Sequence, residues 1–148
     1  MKTAILLLLI ATPSIYAQTI DYNLKKGHIA NGYDVVAYFN YEALEGDKKF
    51  TSKHDGANYK FSSEKNLNLF TENPEKYVPQ YGGYCAYAIA EKADKVSINP
   101  KTFKIKDGKL YLFYNAWGTN TLELWQKENE DVLQKKADEN WGKIKFKN

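Results

Sequence analysis

A chain of 148 residues with 43% hydrophobic and 26% charged side chains is sized and composed for one globular domain. Its single cysteine excludes an intramolecular disulfide and any cysteine-based zinc ribbon or finger, and two histidines exclude a dense histidine metal site. The net charge of +3 is spread over interspersed lysines and carboxylates, with no basic stripe to argue for nucleic acid.

Met1-Lys2-Thr3 is a short positive start, and Ala4 to Ala11 is a leucine-rich apolar run. The run is too short for a bilayer, which needs roughly 20 apolar residues. Pro13 and Ser14 break it, and Ile15-Tyr16-Ala17 precedes Gln18. Residues 1–17 therefore read as a secretory signal peptide cleaved after Ala17, which makes the protein exported, either periplasmic or secreted. The competing reading is an N-terminal helix buried in the fold. No second apolar segment follows, so no membrane span is expected after signal removal.

The rest of the chain shows no internal repeat. Val35-Val36-Ala37-Tyr38-Phe39 is a β-branched and aromatic run that predicts a buried strand. Asp55-Gly56 and Asp107-Gly108 each sit between alternating segments and predict two β-hairpins, because such turns need positive φ. Ser62 and Ser63 offer a helix cap, and Leu67 and Phe70 share one helical face. Asn73-Pro74 ends that helix and starts another. Pro79 to Gly83 reads as a loop, with Gly82 and Gly83 as turn glycines, and Cys85 to Ala90 as a small-residue helix. Asn120 with Glu123 resembles a capping box. Leu122, Trp125, Val132, Leu133, Ala137 and Trp141 then support one helix, or two separated near Asn129. Residues 142–148 read as a short basic tail. The element order predicts a small single α+β domain with two hairpins, short helices and a C-terminal helical segment.

Cys85 is the most informative residue for chemistry. It can serve as metal ligand, redox thiol or nucleophile, or simply pack as a small hydrophobe against Tyr84 and Tyr87. His54 lies beside the first hairpin turn and can ligate a metal, act as a base, or sit exposed. His28 reads as a surface residue. Asp34, after Gly32-Tyr33, can ligate, act as a base, or cap a turn. Tyr33, Tyr38, Tyr81, Tyr84 and Tyr87 are core or core-edge residues, or the lining of a small-ligand pocket. Gly-rich phosphate loops, GxSxG and HExxH are all absent.

Gly32-Tyr33-Asp34-Val35-Val36-Ala37-Tyr38-Phe39 resembles the GYDPVAYF opening of bacterial YHS domain-containing proteins. Tyr59 to Asn66 resembles that family's YxFSSxxN segment, and Phe70 to Ala86 its FxxNPEKYxPQYGGYCA segment. Asp107-Gly108-Lys109-Leu110-Tyr111-Leu112 matches its DGKLYL turn. The resemblance covers residues 27–141 and implies a small exported α+β module of the family's single-domain subgroup. It also implies metal binding, carried over onto Cys85 and His54, and onto Asp34. One thiolate and one imidazole suit copper, as two-coordinate Cu(I), or zinc with further ligands.

Three functions compete. A non-enzymatic binding module for a soft or borderline metal such as copper, through Cys85 and His54, ranks first. A thiol enzyme or redox sensor would use Cys85 as nucleophile and His54 as base. A small-ligand or protein-interaction module would use an aromatic-lined groove, with Cys85 merely packed.

Overall fold

The structure, a computed structural model, describes residues 18–147; the proposed signal segment 1–17 lies outside them. Both Asp-Gly pairs close tight turns. Asp55 and Gly56 have φ of 46° and 82°, and Asp107 and Gly108 have 51° and 70°. Around them β1 (Asp47–His54) pairs antiparallel with β2 (Ala57–Phe61), and β3 (Asn99–Lys106) with β4 (Lys109–Phe113). A third, smaller hairpin joins β5 (Asn115–Ala116) to β6 (Thr119–Asn120).

Helices start where side-chain caps are available. Ser63 Oγ accepts from Asn66 N to open α1 (Glu64–Glu72), and Pro74 opens α2 (Pro74–Tyr77). Helix α3 spans Ala86–Lys92. Asn120 Oδ1 accepts from Leu122 N ahead of α4 (Thr121–Lys127), and Asn129 Oδ1 accepts from Asp131 N and Val132 N ahead of α5 (Glu130–Ile144). The C-terminal segment is therefore two helices. Its basic end is tied down, since Lys145 O accepts from Asp21 N at 2.7 Å and Phe146 bridges to Ile20.

Val35 to Phe39 is not a strand. Asp34 Oδ1 accepts from the N–H groups of Val36 and Ala37, at 2.9 and 3.2 Å, and bends the chain into a 3₁₀ turn at Ala37–Asn40. The apolar run is buried all the same, because the turn points Val35, Val36, Ala37 and Tyr38 inward. A side chain competing for backbone donors overrides strand propensity here.

The sequence hides an internal repeat that the backbone displays. Ala30 and Asn31 are left-handed (φ 49° and 56°), followed by Gly32 (φ 83°); Tyr81 and Gly82 are left-handed (φ 54° and 60°), followed by Gly83 (φ 81°). Tyr33 N then donates to Ala30 O, and Tyr84 N to Tyr81 O, both at 3.0 Å. Asp34 N donates to Leu44 O, and Cys85 N to Val96 O. His28 bridges to Asn58, and Pro79 to Leu110, both in parallel sense. Each long hairpin carries its bulge at the same place, and Asp47 and Asn99 cap it through Lys49 N and Lys101 N. In both copies a two-residue signature, Tyr-x-Phe, stacks on a helical aromatic. Tyr59 and Phe61 meet Phe70, and Tyr111 and Phe113 meet Trp125. Even the side-chain contacts match, His54 with Glu75 and Lys106 with Asp131. One supersecondary unit thus occurs twice, and little beyond Gly-Tyr, Asp-Gly and Tyr-x-Phe is common in sequence.

Strand β4 joins the two copies. Leu110 and Leu112 face the first core, with Ile29, Val35, Tyr59 and Phe70. Tyr111 and Phe113 face the second, with Trp125, Leu133 and Ala137. The matching strand β2 buries only one face, and its Asn58 is exposed. Close backbone contact completes the join at Gly82, where a Cβ would lie 2.9 Å from the Trp141 ring and 3.1 Å from Asp21 O.

Asp34 fastens the first unit. Besides Val36 and Ala37, its carboxylate accepts from Ser62 N, Ser62 Oγ and Asn66 Nδ2, at 2.7–2.8 Å, and it is wholly buried. Asp34→Ala leaves those donors without their acceptor in the core. The expected loss is about 3 kcal/mol or more, read as a lowered urea midpoint at unchanged slope. A loss under about 1 kcal/mol, the size of one ordinary hydrogen bond, would remove the fastening role.

Many tyrosines are held neutral. Burial pushes Tyr38, Tyr59 and Tyr22 well above the ordinary phenol value. Burial, and then the Asp138 carboxylate that accepts from its hydroxyl, do the same to Tyr81. Burial raises Tyr111 to about 12. A group whose pKa is raised in the fold contributes stability that is intact below its unfolded value, about 10, and is lost above it. Phenolate absorbance at 295 nm should therefore rise for these side chains only together with loss of the circular dichroism signal, at a pH above 10. Independent ionisation of all 12 tyrosines near pH 10 in a still folded chain would contradict this.

Candidate functional site

The left-handed turn at Gln80–Gly83 reverses the chain, Tyr84 extends it, and Cys85 is pinned by its N–H to Val96 O and by a bridge to Leu112. Its thiol is fully buried and meets Thr121 Oγ1 at 3.2 Å. Thr121 spends its only hydroxyl proton on Tyr114 O, at 2.8 Å. The thiol is then placed to donate to Thr121 Oγ1.

Cys85 and Thr121 form part of the wall of a cavity of about 250 Å³. Val96, Tyr114, Leu124, Ala88 and Tyr87 supply the rest of a surface that is almost entirely apolar, and Glu91, Lys92 and Asp94 stand at its edge. The repeat explains why it is there. In the first unit Phe61 is followed by Ser62 and then by the cap Ser63, so α1 closes directly onto Asp34. In the second, the β5–β6 hairpin is inserted between Phe113 and the cap Asn120. Helix α4 still reaches Cys85, the counterpart of Asp34, through Thr121, and the cavity lies beside this contact, among Tyr114, Thr119 and Leu124, where the first unit has a hydrogen-bonded cluster.

The three metal-ligand candidates do not come together. Asp34 and Cys85 occupy matching positions in different units, and every polar contact of Asp34 goes to donors of its own unit. His54 Nε2 lies 2.9 Å from Glu75 Oε1, with the ring edge-on to Phe70, in a separate depression with Tyr22, Asp55 and Trp141. Among the described residues no three His, Cys, Asp or Glu side chains gather as a metal site. His28 Nδ1 contacts Lys26 O.

Of the five candidate tyrosines only Tyr87 lines the cavity. Its hydroxyl donates to Glu128 at 2.9 Å, and that bond, with burial second, raises it to about 12. Tyr38 instead donates to Pro100 O, Tyr81 to Asp138 and Tyr33 to Glu45, while Tyr84 packs on Trp141. The glycines Gly56, Gly82, Gly83 and Gly108 all have positive φ, as turn glycines should. Sequence reasoning missed Tyr114, Thr121, Val96 and Leu124. The available signal was the break between Phe113 and Asn120, where Trp117-Gly118 stands between Asn115-Ala116 and Thr119-Asn120.

With its proton shared and its surface covered, Cys85 should resist alkylation. Iodoacetamide should label it slowly in the native protein and at the rate of a free thiol in denaturant. Equal rates in the two conditions would mean the thiol is open.

Comparison with known families finds one match. The model described as the YHS domain covers residues 37–81, consistent with a YHS domain-containing protein. The match begins after the first left-handed turn and Asp34 and ends in the second left-handed turn at Tyr81, and the cavity residues lie beyond it. Comparisons with curated proteins and with solved structures return no match.

Proposed function

We propose that the protein is a non-enzymatic binding module whose site is the apolar cavity beside Cys85, and that its ligand is a small uncharged organic molecule. The observation that carries this reading is the cavity itself, opened by an inserted hairpin at the position that the first unit fills with Asp34, Ser62 and Asn66. A concave, apolar site with a few polar groups is the usual form of a small-molecule pocket, and this one suits a ligand of one or two rings. Cys85 and Thr121 bond each other and Tyr114 O in one part of its wall, which suits a ligand that asks for few hydrogen bonds.

A thiol enzyme would need a base within reach of Cys85. His54 instead contacts Glu75, in another depression. YHS domains are loosely associated with metal binding, and a Cu(I) role for Cys85 and His54 would need the two side chains to share one ion. Their separate partners do not support that. Export under residues 1–17 belongs to the same proposal, with a mature chain beginning at Gln18.

The test is titration with N-phenyl-1-naphthylamine, a neutral fluorophore that brightens in apolar surroundings. Saturable binding by the unmodified protein, abolished by Leu124→Trp, which fills the cavity from one wall, is the expected result. Binding untouched by Leu124→Trp, or none at all, would sink the cavity as the site. In parallel, stoichiometric Cu(I) uptake against a competing chelator, lost in both Cys85→Ala and His54→Ala, would replace this proposal with the metal one.

A further inference from the structure

Trp117 stands at the tip of the β5–β6 hairpin with 96% of its surface exposed and φ of 52°. Both facts are costly. A bulky residue is strained in left-handed backbone, and an indole in water gains nothing from burial. The two long hairpins place Asp at the same turn position, Asp55 and Asp107, and Asp tolerates that conformation. No aromatic stacking partner within the fold is found for Trp117 among the described residues, although Trp125 and Trp141 both have one. The hairpin that carries it is the insertion that opens the cavity. Thr119 on its return strand and Tyr114 just before it both line that cavity.

We infer that Trp117 is a ligand-contacting residue, whose indole stacks on the part of the ligand that projects from the cavity mouth. The ligand is therefore flat, aromatic or conjugated, and uncharged where it meets the walls. This rests on the cavity being the binding site, as proposed above.

Trp117→Asp keeps the turn, because it installs the residue the other two hairpins use, so a change in binding will not come from unfolding. Titrated with N-phenyl-1-naphthylamine, this variant should bind roughly fivefold to tenfold more weakly than the unmodified protein, the scale of one aromatic stack. Trp117→Phe should recover most of the loss. In the unmodified protein, bound probe should quench the exposed, red-emitting tryptophan, and Trp117→Phe should lack that component. If Trp117→Asp binds as tightly as the parent while Leu124→Trp abolishes binding, the cavity stands and the role of Trp117 falls. If Trp117→Phe is as weak as Trp117→Asp, stacking is wrong. If the parent itself does not bind the probe, the cavity reading falls first and takes this inference with it.

Discussion

Strand β4 is buried on both faces, and the rest of the molecule is arranged around that constraint. A small domain has little interior, and most of its strands keep one wet face. Here four successive residues, Leu110 to Phe113, are all inaccessible. Alternate side chains enter two different cores, so a single strand holds two hydrophobic clusters in fixed relation. A change at Leu112 or Tyr111 is felt on one side only, but a shift in the register of β4 would move every one of its side chains into the wrong core. The parallel bridges from Pro79 and Cys85 to this strand fix that register.

The two units have diverged in what they do with the residue after the left-handed turn. In the first it is Asp34, spent entirely on holding the unit together. In the second it is Cys85, which makes one weak side-chain hydrogen bond and borders empty space. The second unit carries a void at this place, and a void with apolar walls is a place for a guest. Two left-handed turns with non-glycine residues at Ala30, Asn31 and Tyr81 are kept in both units despite their steric cost, of order 1–2 kcal/mol per residue. Their common effect is to aim Asp34 and Cys85 inward.

Much of this fold is legible in the sequence because it is local chemistry. Asp-Gly turns, Ser63, Asn120 and Asn129 caps, and Pro74 at a helix start are each fixed by a residue and its near neighbours. What escapes is set by contacts across the chain. The run Val35–Phe39 looks like a strand until Asp34 claims its amides. The repeat is invisible because backbone shape is conserved between the units while side chains are not, so left-handed Ala30 matches left-handed Tyr81. The candidate site was half legible. Cys85, which the sequence singles out, is one residue of the cavity wall. His54 and Asp34 are not, because nothing in one-dimensional spacing says that the first belongs to a hairpin tip and the second to the other unit. The cavity has no motif at all, since its walls come from α3, Val96, Tyr114, Thr119 and α4, which are far apart in the sequence.

The two ends of the described chain clasp each other. Thr19 O accepts from Lys147 N at 3.0 Å, Asp21 N donates to Lys145 O, and Lys95 Nζ reaches both Asp21 and Phe146 O. The strap at 18–23 is thus made well before the residues at 145–147 that pair with it. Until the final turn of the chain is available, the strap is held by Gly82, Gly83, Asp55 and Lys95, and its backbone pairing with Lys145 and Lys147 is missing. Closure of the molecule is a finishing step, and a chain lacking its last few residues is a fold with an open seam.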